Sequence, residues 1–219
     1  MEHLSISLPE QKDYSYAYGL AFKLASEQLV KSKDIGGLCG RCGCNCKVEG
    51  DKKVIMLEYL NKNYRVTLPE VEIRQMPGGE EVQLRDKILI AHYLVKSKGT
   101  PLSGKQITYQ ELKEGNTYFP TFAKRVIKPL VDTFGKCPEK LIEAAAKLGG
   151  IRSDSGDVSV TISAFPRVPV MVVLWKGDEE FPPEGNILFD STISDYLSTE
   201  DITILCQTIT WELVQSRKK

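Results

Sequence analysis

The chain has 219 residues, enough for one large domain with a core of useful size. Lys+Arg and Asp+Glu are balanced at 29 each and interspersed, which excludes the basic face expected of a nucleic-acid binder. Hydrophobic content is 42% and charged content 26%, as in soluble globular proteins, and no apolar run nears the ~20 residues needed to cross a bilayer.

The opening "MEHLSISLPEQKDYSY" lacks the apolar stretch of a signal peptide, so a cytoplasmic location is expected. The segment "DYSYAYGLAFKLASEQLVKSKD" predicts a first helix. Tyr14, Tyr18, Ala21, Phe22, Ala25 and Leu29 recur at helical spacing, Asp13 is its N-cap, and Gly36-Gly37 is its stop. A glycine-rich loop over residues 38–50 follows, "LCGRCGCNCKVEG". Then "KVIMLEYLNKNYRVTLPEVEI" predicts a β-hairpin, in which Ile55, Leu57, Tyr59 and Tyr64, Val66, Leu68 alternate about an Asn61-Lys62-Asn63 turn. "LRDKILIAHYLVKSKG" is a helix closed by Gly99, and "GKQITYQEL" a short strand. "FPTFAKRVIKPLVDTFG" and "CPEKLIEAAAKLGG" are two more helices, with Gly135 and Gly149 as stops. "DVSVTISAF" and "VPVMVVLWKG" are paired strands, and "GNILFDSTI" is a short strand or loop. The last helix is "STEDITILCQTITWELVQSRKK", with Ser198 and Asp201 forming a capping box. The expected fold is α+β: a mostly antiparallel sheet packed with several helices, in a single domain over residues 1–219.

Four of the six cysteines, Cys39, Cys42, Cys44 and Cys46, fall within eight residues. Thiols stay reduced in a cytoplasmic protein, so this density points to a metal or a redox device before a disulfide. Four thiolates satisfy a tetrahedral zinc or an iron–sulfur cluster. If Cys42, Cys44 and Cys46 are extended, their side chains stand about 6.5–7 Å apart along one face. Sulfurs around one zinc are roughly 3.8 Å apart. The alternating spacing therefore favours an iron–sulfur cluster over zinc, with Arg41 and Lys47 offsetting its charge, or ligation shared with a second segment or chain. A redox pair of Cys39 with Cys42 is the competing thiol reading, and thiols without a role are the plain one. Cys206 sits on an apolar helix face and reads as core.

The second candidate is "WKGDEEFPPEGNILFD". Asp178, Glu179 and Glu180 follow a hydrophobic strand, Trp175 and Phe181 flank them, and Asp190 comes twelve residues after Asp178. Carboxylates at a strand end beside aromatic surface suit a hard cation, a small ligand or acid–base work, a reading that a pocket bringing Tyr109 or His92 beside them would favour; a solvated acidic turn is the plain alternative. "GTPLSGKQ" nearly matches a phosphate loop, but Gln106 replaces the magnesium-binding hydroxyl and the motif follows a helix, so it reads as a helix cap and turn. His92, within "LIAHYLV", reads as a satisfied core histidine.

Several blocks together carry a resemblance: "ILIAHYLVKSKGTPLSGKQITYQEL", "LIEAAAKLGG", "FPRVPVMVVLWKGDEEFPPEGNILFD" and "YLSTEDI". They resemble an uncharacterised prokaryotic family, a domain of unknown function, over residues 16 to 213. The tryptophan–glycine–acidic–Phe-Pro block and the Leu-Phe-Asp block are its specific parts, and the four-cysteine stretch stands outside them. The resemblance implies an origin among anaerobic bacteria and archaea, in the company of iron–sulfur modules and corrinoid or one-carbon metabolism. It brings no established catalytic residues. The combined expectation is an accessory metal- or cofactor-binding protein, with a redox or corrinoid protein as partner or self-association as a homo-oligomer, and with no membrane or nucleic-acid partner.

Overall fold

The computed structural model describes residues 15–78 and 81–217. The first helix, α1, spans Ser15–Lys31; the expected cap at Asp13 and the apolar Tyr14 lie outside the described residues. Ala25 and Leu29 are buried as their spacing requires. Gly36 and Gly37 do not stop it. They lie inside a second helix, α2 (Ile35–Cys42), which buries Ile35, Leu38, Cys39 and Cys42. Its N-cap is Asp34, whose carboxylate accepts the Gly37 N–H at 2.8 Å. A Cβ on Gly37 would stand 2.1 Å from that carboxylate, so the glycine makes room for the cap.

The cysteine stretch is thus not a loop. Gly43 ends α2 in the left-handed region at φ 66°, with its N–H on the carbonyls of Cys39 and Gly40. The chain then enters β1 (Asn45–Glu49), the outer strand of an antiparallel meander with β2 (Lys52–Tyr59), β3 (Lys62–Leu68) and β4 (Glu72–Met76). The β2–β3 hairpin has the expected alternation, but its turn is Leu60-Asn61, with Tyr59 opposite Lys62. Both turn residues have positive φ, which fits the twist of a two-residue hairpin.

A central helix, α3 (Leu84–Lys96), leads into the second sheet, of order β5-β9-β8-β7-β6: β5 (Gln106–Thr108), β6 (Ile151–Ser153), β7 (Val158–Phe165), β8 (Val168–Trp175) and β9 (Glu184–Asp190). β8 is the middle strand, which accounts for its nearly unbroken apolar run. The single helix expected over residues 119–135 is α4 (Gly115–Phe122) and α5 (Lys128–Phe134) joined by a π-helical turn, Ala123–Ile127. Pro129 has no N–H to donate to the carbonyl four residues back, and the Lys128 N–H reaches to Ala123 instead. α6 (Lys140–Ala146) and α7 (Thr199–Arg217) complete the α+β fold. One continuous hydrophobic core runs through both sheets and the helices.

The sheets meet through aromatic rings. Tyr59 of β2 stacks on Phe165 of β7 at 4.8 Å, and Phe165 stacks on Tyr93 of α3 at 4.2 Å. Tyr64 and Tyr196 extend the row at its two ends. Beside it the Leu60 N–H bonds the Ala164 carbonyl at 3.1 Å, tying the hairpin turn to the end of β7. Phe165→Ala removes both stacks and leaves a cavity, and its expected cost is about 3–5 kcal/mol. Tyr93→Phe keeps the ring and loses only its hydroxyl bonds, at about 1–3 kcal/mol. Urea unfolding midpoints of the two variants should show that order.

Candidate metal centre

The four clustered thiols occupy a helix–turn–strand unit. Cys39 and Cys42 are the buried end of α2, Cys44 follows the Gly43 turn half-buried, and Cys46 is exposed in β1. All four are free. The turn is locked by the Cys44 N–H on the Cys39 carbonyl at 2.9 Å. It is also wedged against the β7–β8 turn, since a Cβ on Gly43 would sit 3.1 Å from Pro166 and 3.4 Å from the Arg167 guanidinium. The Tyr93 hydroxyl joins the two turns. It donates to the Cys42 carbonyl at 2.6 Å and accepts the Arg167 N–H at 3.2 Å.

Neighbouring thiols alter the ionisation of Cys39, Cys42 and Cys44. Burial, then the hydrogen bond and charge of Cys46, push the Cys39 thiol up to about 12. The bond with Cys42, then burial, push Cys44 well up. Cys42 moves down: the Cys44 bond outweighs burial, and Ser97 and the Arg41 charge add to it. The Cys42 sulfur is also 3.6 Å from the Leu94 carbonyl, and that of Cys44 is 3.6 Å from the Cys42 carbonyl. Among the described residues no three Cys, His, Asp or Glu side chains already converge on one ion position. The extended arrangement that argued against a single zinc is absent, because the chain reverses at Gly43.

The second sequence candidate comes apart along β9. Trp175 pairs with Glu184 and Val170 with Phe189, so Asp190 stands at the opposite end of the sheet from Asp178, Glu179 and Glu180. Six residues of strand separate Glu184 from Asp190, about 20 Å. Asp178 accepts the N–H groups of Glu180 and Phe181 at 2.8 and 2.7 Å, which hold its carboxyl below the usual range and shape the turn. Glu179, Glu180 and Phe181 line an open cleft of about 370 Å³ with Lys136 and Lys176. Trp175 is partly exposed at the strand end.

Asp190 has another occupation. Its carboxylate accepts the N–H groups of Ser103, Gly104 and Thr192 at 3.1, 2.8 and 3.0 Å, and the hydroxyls of Ser103 and Thr192. Burial opposes ionisation there, but the bonds from Thr192, Ser103 and Gly104 hold the carboxyl well below its usual range. The near-phosphate loop is therefore filled by the protein's own carboxylate.

His92 and Asp201 form a pair that the sequence separates by 109 positions. His92 Nδ1 is 2.6 Å from Asp201 Oδ1, and Lys96 Nζ is 2.6 Å from Oδ2. Ser198 adds its N–H at 3.1 Å and its hydroxyl at 2.5 Å, which completes the expected capping box. The Asp201 side chain is 3% exposed. Burial opposes its ionisation, and the His92 bond and charge, then Lys96 and Ser198, hold the carboxyl well below its usual 3.8. Tyr109 is engaged elsewhere, bonded to Thr203 at 2.7 Å and stacked on Phe122.

A family model described as a domain of unknown function, DUF3786, matches residues 34–211, most of the chain. The matched span encloses all four clustered cysteines and leaves out α1. No curated protein and no solved structure matches the chain. Among the described residues no helix is long and apolar enough to cross a membrane.

The depressed carboxylates fix the sign of the acid response. A group with a lowered native pKa contributes stability that is present above its unfolded value and is lost as pH falls through the native one. Denaturation midpoints should therefore fall as pH drops below about 4, where free aspartate titrates. Asp201→Asn should cost about 2–4 kcal/mol at neutral pH, because it leaves Lys96 and His92 without their buried partner. The same variant should flatten the acid limb of the stability profile.

Proposed function

We propose that this chain, which belongs to the DUF3786 family, is a metal-binding protein whose centre is built from the thiolates of Cys39, Cys42, Cys44 and Cys46. The observation that carries the reading is the gathering of four free thiols within one short helix–turn–strand unit that bends at Gly43. No disulfide uses them. Their softness selects a thiophilic ion such as zinc, or iron with sulfide. The tight reversal at Gly43 favours a single tetrahedral ion. Arg41 and Arg167 beside the turn favour an iron–sulfur cluster as the second reading, since they would offset its extra negative charge.

The protein's own contribution is placement. α2 fixes Cys39 and Cys42 one helical turn apart, and the left-handed residue swings Cys44 and Cys46 back toward them. Binding draws the four sulfurs onto one centre and displaces protons from thiols that burial and neighbouring sulfurs keep protonated. Bound zinc would brace the junction of α2 with β1, and a bound cluster would supply one-electron chemistry. An accessory role beside a redox or corrinoid partner fits the cluster reading, and the anaerobic setting is part of that reading.

Protein purified without oxygen should contain close to one metal centre per chain by metal and acid-labile sulfide analysis. A colourless protein with zinc and no sulfide supports the single ion; visible absorption with matching iron and sulfide supports the cluster. Cys39→Ser and Cys44→Ser should each lose most of the metal, whereas Cys137→Ser should not. A chain with less than half a metal, unchanged by the clustered substitutions, overturns the proposal.

A further inference from the structure

We propose that β1 is a self-pairing edge, through which two copies of this chain join antiparallel about a two-fold axis at Val48. Among the described residues β1 is the outer strand of its sheet and pairs with β2 alone. Asn45, Cys46, Lys47 and Val48 are all exposed, so neither face of this part of the strand is covered. Val48 is 73% exposed, an apolar β-branched side chain in the open at the centre of an unpaired edge.

The register supplies the backbone half of the argument. Glu49 pairs with Lys52 across the two-residue Gly50-Asp51 turn, and such a turn is closed by a hydrogen-bonded pair. Alternate residues of an antiparallel strand turn their N–H and C=O groups toward and away from the neighbour. Cys46 and Val48 therefore direct theirs to the free edge. Two β1 strands placed antiparallel with Val48 on the axis exchange both N–H···O=C bonds at that residue, and Cys46 faces the partner's Gly50.

The charges supply the other half. Lys47 and Glu49 project from one face, with Lys47 Nζ 2.7 Å from the Glu49 carboxylate and Arg65 of β3 2.6 Å from its other oxygen. A lone edge lysine repels a second copy and guards against pairing. Lysine and glutamate two residues apart reverse that logic when the axis falls between them. Lys47 then stands opposite the partner's Glu49, and Glu49 opposite the partner's Lys47, while the two Val48 side chains meet on the other face. The interface is self-complementary, as a two-fold contact requires, and it turns two four-stranded sheets into one continuous sheet. The far edge, β4, also carries alternating charges, with Arg74 2.5 Å from Glu72. Ile73, the residue between that charged pair, is buried, so the pair does not flank an exposed apolar side chain as Lys47 and Glu49 do.

The inference does not depend on the metal reading, because its readout is mass. Sedimentation velocity and light scattering across a wide concentration range should give a dimer for the full chain. Lys47→Glu places like charges opposite each other and should weaken the dimer about tenfold or more. Lys47→Glu with Glu49→Lys, made together with Arg65→Gln so that the new lysine meets no neighbouring cation, restores the complementarity and should restore the dimer. The matching exchange on β4, Glu72→Arg with Arg74→Glu, should leave it intact. Circular dichroism and unchanged urea unfolding midpoints verify that each variant is folded, and Val48→Lys provides a second disruption that spares both charges. A monomer at every concentration overturns the proposal. So does a dimer indifferent to both Lys47→Glu and Val48→Lys, or one broken equally by the β4 exchange.

Discussion

The parts of the structure are joined at Tyr93, by its ring and by its hydroxyl. Tyr93 lies in the last turn of the central helix, buried and stacked on Phe165, and its oxygen is bonded on two sides. One bond holds the end of α2 and the other holds the β7–β8 turn. The first sheet, the cysteine turn and the second sheet meet at that point. A phenol can do this because it packs as an apolar ring along its length and bonds at its tip. Around it the aromatic row fills the seam between the sheets, and the Leu60 N–H to Ala164 carbonyl bond closes the seam from the backbone. The four thiols inherit their placement from this junction. Their turn is pressed between α2 and the β7–β8 turn, so the cysteine region is part of the core architecture rather than an appendage to it. The family match agrees with that reading by enclosing it.

The buried carboxylates serve the same end by another route. Asp190 binds the loop after α3 to the end of β9, and Asp201 binds the start of α7 to α3. Each lies at an element end where backbone N–H groups lack partners, and each supplies an acceptor to a different part of the chain. Asp195 does so a third time, from Lys98 and Thr100. Together they sew the segment between α3 and β5 to the segment between β9 and α7. The second stretch has only one short 3-10 turn, Ile193–Asp195, and the carboxylates add to the backbone bonds of Lys98 N–H to the Asp195 carbonyl and Ser191 N–H to the Lys105 carbonyl.

Local chemistry was readable in the sequence, and long-range pairing was not. The alternation of Ile55, Leu57 and Tyr59 showed the hairpin because a half-buried strand imposes period two wherever it occurs. The box of Ser198 and Asp201 was readable because both partners lie within one turn. Helix α2 was hidden, since Gly36 and Gly37 are poor helix formers; Asp34 and four buried side chains outweigh them. Asp178 and Asp190 had the residue types of a binding site. Their actual partners are backbone N–H groups, and for Asp190 those of Ser103 and Gly104 lie far earlier in the chain, in the near-phosphate loop, where nothing names Asp190 as the partner. His92 was read as a satisfied histidine, which its bond to Asp201 supports, but nothing near it in the sequence names that partner. The cysteines were visible at once. What the spacing could not reveal is that the chain turns back at Gly43, which reverses the argument from extended geometry.

The occupied loop at Ser103 and Gly104 has a wider meaning. Successive backbone N–H groups turned toward one point form an anion receptor, and the receptor does not distinguish a phosphate oxygen from a carboxylate oxygen. Here the guest is tethered to the host. A tethered guest arrives at very high effective concentration and leaves no vacancy for a free competitor. The motif that would elsewhere confer nucleotide recognition has become a latch, and between latch and receptor lies a single side chain.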